Sequence, residues 1–148
     1  MGQINSGRVL AGGIVAGIII NIFEYVTNGR LLAADWAAAM QALGREMPAS
    51  AIPIFIVWGF FVGISAVWLY AAARTRFGPG PGTAVLTGFA FWVIGYLFPN
   101  LISWALAIFP SRLLAITTLV GLVEIIVASL AGASIYKEQA SGYQRPAN

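Results

Sequence analysis

No cysteine and no histidine occur among the 148 residues, and charge is scarce. The first two absences exclude disulfides, thiolate nucleophiles, Cys/His zinc sites, histidine-ligated haem and any Ser-His-Asp triad. Charged residues make up 9% of the chain, against about a quarter in a soluble domain. Eight basic and five acidic side chains do not cover a water-facing surface, so the bilayer is the expected solvent. A formal charge of +3 spread along the whole chain gives no footprint for nucleic acid, and no cofactor motif is present.

What the chain does have is apolar length. Crossing about 30 Å of hydrocarbon takes about 20 apolar residues, and four runs qualify: 9–27, 51–73, 83–109 and 113–136. Open sheet edges do not survive in lipid. The expectation is therefore all-α: one polytopic membrane domain over 1–148, a four-transmembrane-helix bundle with a polar tail at 137–148. Arg8 ahead of an apolar run imitates a signal peptide, but Asn21 and Glu24 inside that run argue for a retained span. With both termini inside, the cytoplasmic side holds Arg8, Arg74, Arg76, Lys137 and Arg145. The other side holds Arg30, Arg45 and Arg112. Five basic residues against three favour that orientation.

Between the first two runs, Leu32, Trp36, Met40, Leu43 and Met47 recur at helical spacing, with Asp35, Gln41 and Arg45 on the other side. This reads as an interfacial amphipathic helix over 31–47, ended by Pro48, serving as an anchor or a lid. The connection of runs two and three, RTRFGPGPG, is a basic turn that Pro and Gly keep non-helical. Only Pro110 and Ser111 separate runs three and four. At an offset of 75 residues, Gly7, Gly13, Ile19 and Phe23 meet Gly82, Gly88, Ile94 and Phe98, which leaves a tandem-hairpin repeat open.

Gly13 with Gly17, and Gly59 with Gly63, have GxxxG spacing and mark helix-packing faces, within the chain or between chains. Polar residues extend two of these faces. Gly13, Gly17, Asn21, Glu24 and Asn28 form one stripe; Thr117, Gly121, Glu124 and Ala128 form another. A carboxylate at the bilayer centre costs about 2.5 to 3.5 kcal/mol on insertion scales, so both acids should face protein or water. Counting inward from the outer ends of the runs puts Glu124 about 16 Å deep, Asn100 about 14 Å, Asn21 about 9 Å and Glu24 about 5 Å. Pro99 removes a backbone donor and leaves the Gly95 carbonyl unpaired, predicting a kink of the kind that marks transporter sites.

Two readings stay open. In one, Asn21, Glu24, Asn100 and Glu124 line a polar cavity of an oligomeric proton- or cation-linked carrier or pore, with Ser103 at its rim. In the other, the acids only pair helices, and the chain is a non-catalytic subunit that packs on another membrane protein through its glycine faces. The aromatic residues Trp92 and Tyr96, with Trp58, Phe60 and Phe61, suit either a flat apolar ligand or packing against glycine. Met1 to Ser6 match the N-myristoylation pattern, but a chain held by four spans gains little from that anchor.

The stretch INSGRVLAGGIVAGIIINIFEYV, followed by a Trp-containing loop helix, resembles the small uncharacterised four-span proteins of bacterial inner membranes. The resemblance implies that location and a lipid environment, and carries no activity. Small multidrug-resistance transporters are similar in having four helices and a first-span carboxylate, but lack the loop helix. Membrane-bound glutathione-transferase-like proteins share an Asn-x-x-Glu, here Asn21 to Glu24. The arginine that accompanies it there is absent here.

Overall fold

A computed structural model describes residues 3–137. Met1, Gly2, Arg145 and the tail beyond Lys137 lie outside them, and with them the start of the myristoylation pattern. The described chain is helical, without strands. Helix α1 (Ser6–Val26) runs on through a π-helical turn, Thr27–Leu31, and α2 (Ala33–Ala42) follows; α3 is Ala51–Phe77. Helix α4 (Pro81–Trp92) passes through a second π turn, Val93–Leu97, into α5 (Phe98–Ala105), and α6 is Ser111–Ile135. Four spans long and apolar enough to cross a membrane result: Ser6–Leu31, Ala51–Phe77, Pro81–Ala105 and Ser111–Ile135.

Residue size, more than polarity, decides which face of each span turns inward. Leu10, Ile14, Ile18 and Ile22 line the exposed face of α1, while Gly12, Gly13, Ala16 and Gly17 are buried. Lipid tails are as apolar as leucine, so close backbone approach drives helix association here. The two GxxxG pairs meet each other. A Cβ on Gly13 would stand 2.5 Å from the Ile64 Cα, and one on Gly17 would stand 2.8 Å from the Phe60 Cα. One on Gly63 would run into the backbone of Gly17 and Gly13. The Asn21 side chain fills the space above Gly59. All four glycines are therefore used inside the chain, between α1 and α3. A second close junction joins α1 to α6, where a Cβ on Gly12 would reach the Gly132 carbonyl at 2.5 Å. Helix α4 packs on α6 and α3, so spans one and three stand at opposite corners. Gly13 and Gly88, matched at the 75-residue offset, each sit where the partner helix of their own hairpin approaches.

Both ends of the bundle are tied. At the end carrying the N-terminus, the Asn5 side chain caps α1 by accepting from the Arg8 N–H, and its own N–H donates to the Tyr136 hydroxyl. The Gly80 N–H donates to the Tyr70 hydroxyl, and the Arg74 guanidinium lies over both rings. At the opposite end, Leu32, Trp36 and Ala39 of the loop-helix region pack on Leu113, Phe109 and Ile116.

Helix α3 runs on to Phe77 and α4 starts at Pro81, so Arg74 and Arg76 are helical and only 78–80 of the expected non-helical turn break the chain. Two other element ends differ from the sequence expectation for a shared reason. Helix α2 stops at Ala42 rather than near Pro48, because Gly44 at φ +66° closes a Schellman turn: its N–H donates to Gln41 O and the Arg45 N–H donates to Met40 O. Leu43 and Met47 are consequently exposed and off the helix. Span three stops at Ala105 rather than at 109. There Ala107 takes the left-handed position (φ +51°), donating to Trp104 O, and Ile108 donates to Ser103 O. Hydropathy does not register such turns, since Ala107 and Ile108 are as apolar as the helix they end.

Candidate functional site

Glu124 is 2% exposed, among the most buried side chains of the molecule. It sits on α6 one turn from Gly121, and the missing Gly121 side chain makes its site. The Tyr96 ring occupies the space a Cβ there would need, and the Tyr96 hydroxyl donates to Glu124 Oε1 at 2.8 Å. Tyr96 belongs to the π turn Val93–Leu97, in which the Phe98 N–H reaches back to Val93 O. Pro99 follows directly. In an unbroken α-helix its ring would crowd the Gly95 carbonyl and offer no N–H. The wide turn accommodates the proline, and π turns of this kind recur at functional sites.

Glu24 approaches from α1. Its Oε2 accepts from Asn28 Nδ2 at 2.6 Å, and Asn28 Oδ1 accepts from Trp36 Nε1 at 2.9 Å. Asn28 lies on the other π turn and Trp36 on α2, so a hydrogen-bonded chain links Glu24 to the helix at the end of the bundle. Counting from the Gly12–Gly132 junction, Glu24 lies about 18 Å and Glu124 about 12 Å towards the α2 end, an offset of about 6 Å. The sequence count gave about 10 Å. Neither acid has an ion-pair partner among the described residues, and no three metal-ligating side chains come together there.

The other predicted site residues are placed differently. Asn21 donates to Gly17 O and Ile56 O, clasping α1 to α3. Asn100 donates to Thr118 Oγ1 at 2.7 Å and more weakly to Thr117 Oγ1 at 3.4 Å. That puts it about 9 Å along α6 from Glu124, not level with it. The error comes from the span end: counting inward from 109 instead of Ala105 overstates the depth, and Tyr96 is the residue facing Glu124. Pro99 itself is exposed, and Ser103 turns back onto the Pro99 carbonyl. The four polar residues therefore do not line one open cavity. An open groove of about 420 Å³ between α5 and α6 has Asn100 and Thr118 on its wall. One of about 810 Å³ lies between α2 and the 106–110 connection. Neither carboxylate lines either groove. The aromatic residues do not gather either: Phe60 fills the space at Gly17, while Trp58 and Phe61 are exposed.

Sequence reasoning missed Tyr96 as the partner of Glu124, and Trp36 as the end of the Glu24 chain. A hydroxyl near the middle of a neighbouring span was the available signal for Tyr96; the π turn that aims it has no sequence signature beyond Pro99. Of these three groups Glu124 is buried while Glu24 and Tyr96 are half-buried, and neither acid has a counter-ion among the described residues. The chain matches no protein-family model, no curated protein and no solved structure.

Proposed function

We propose that this integral membrane protein is a proton- or cation-linked carrier or pore for a small solute, acting as an oligomer in a bacterial inner membrane with both termini cytoplasmic. The observation that carries the proposal is Glu124: a carboxyl group 2% exposed, held by Tyr96 from a π turn, with Glu24 about one helical turn away along the bundle axis. Membrane-buried acids of this kind commonly mark proton relays. In this reading Glu124 is the deep proton-holding group and Tyr96 orients it. Glu24 exchanges protons with the α2 side, and Asn28 and Trp36 hold Glu24 in place. Asn21 keeps α1 registered on α3, and Asn100 is a neutral polar group near the path. Four spans enclose little space of their own, which is the reason for expecting an oligomer. The test is proton and cation flux in proteoliposomes under an imposed pH gradient. Flux in the wild type that Glu124→Gln abolishes is the expected result; vesicles equally tight with both proteins overturn it.

A second reading is a non-catalytic membrane subunit in which the acids only specify helix pairing. It is favoured by the hydrogen-bond partners that both acids find within the chain. It cannot use the glycine faces for a partner, since α1 and α3 already consume them. Under this reading, replacing both acids by glutamine changes assembly and leaves flux unaltered.

A further inference from the structure

The two grooves adjoin each other. Both are lined by Trp104 and Ser111, and the Trp104 indole N–H donates to Ser111 Oγ at their junction. The wider part lies at the α2 end of the bundle, floored by alanines of α2 and edged by one charge of each sign, Asp35 and Arg112. These two form an ion pair at 3.1 Å and remain 39% and 72% exposed. The pair engages one guanidinium nitrogen and one carboxylate oxygen. Most of the five N–H donors of an arginine and a second carboxylate oxygen are left for a ligand. The narrower part runs down α5 and α6 past Leu101, Leu114, Ala115 and Leu119. Ser111 to Leu119 is about 12 Å, which keeps this part within one leaflet of hydrocarbon about 30 Å thick. Trp104, at the step between them, is a residue type that favours the headgroup level.

We propose that this groove is a binding site for a single phospholipid with a phosphoethanolamine head. The phosphate meets Arg112, the primary ammonium meets Asp35, and an acyl chain lies in the channel between α5 and α6. Charge selects the class. An anionic head would leave Asp35 facing a like charge, and a quaternary ammonium has no N–H to donate to it. The left-handed turn at Ala107 opens the space by ending span three early, while Phe109 beyond it still packs against Trp36 of α2. This site is separate from the carboxylate cluster and stands or falls without it.

The experiment is native mass spectrometry of the full chain, delipidated and then titrated with phosphatidylethanolamine, phosphatidylcholine or phosphatidylglycerol of matched acyl chains. One phosphatidylethanolamine retained in preference to the other two is expected. Arg112→Gln and Asp35→Asn should each lower retention about threefold, in line with exposed charge contacts. Ala115→Trp, which fills the acyl channel from an exposed position, should abolish the preference. Equal retention of the three lipids, or retention indifferent to all three substitutions, overturns the proposal. So does a different occupant, such as a co-purifying peptide, displacing lipid from the groove.

Discussion

Gly121 and Gly63 lack a side chain for different purposes. At Gly63 the empty space admits the α1 backbone; at Gly121 it admits the Tyr96 ring and so aims a hydroxyl at Glu124. The costs of disturbing the two contacts should differ accordingly. Gly63→Ala forces two backbones apart and should cost about 1 to 3 kcal/mol, as overpacking does. Tyr96→Phe leaves the ring in place and removes one intramembrane hydrogen bond, worth about 0.6 kcal/mol on average and at most about 1.7. Unfolding of both variants beside wild type in one detergent system checks the order; a Tyr96→Phe loss larger than that of Gly63→Ala contradicts it. At this scale the sequence was partly readable. The stripe from Gly13 to Asn28 shows that Glu24 faces protein, but not that Asn21, three residues earlier, faces α3 instead. A stripe gives a side of the helix, and two neighbouring helices can share that side.

Among the elements, the π turn Val93–Leu97 amounts to one residue more than an α-helix needs between Trp92 and Asn100. Removing the extra residue tests what it does. Deleting Ile94, which is 68% exposed, should restore α-helical hydrogen bonding and rotate one half of span three by about 100° against the other. Because the chain has no native cysteine, a disulfide between cysteines at positions 100 and 118 reports the result directly. The bond should form in the full-length double variant, where these side chains now touch, and fail once Ile94 is deleted. Formation in both would show that α5 keeps its register without the turn. The spans themselves are legible because hydrophobic length is a property of composition. Their ends are less so: Gly44 and Ala107 stop helices through a left-handed backbone angle. Glycine signals such an angle, whereas alanine hides it.

For the whole molecule, the balance of five basic residues to three predicts a sidedness that labelling can check. A cysteine replacing Glu46 should react with an impermeant reagent added to intact cells, and one replacing Arg76 only after permeabilisation; the reverse pattern inverts the topology. The bundle is also uneven in stiffness. Helices α1, α3 and α6 meet backbone to backbone at Gly13, Gly63 and the Gly12–Gly132 junction, where the short Val67 side chain also packs. Span three has no such seam along α5. It carries two weak points within seven residues, a π turn and a proline, and its last turns border an open groove. Bending energy will therefore collect in one quarter of the structure. Glu124 is anchored on the stiff side and Tyr96 on the soft one, so the single hydrogen bond between them is strained first when the membrane thins, thickens or curves.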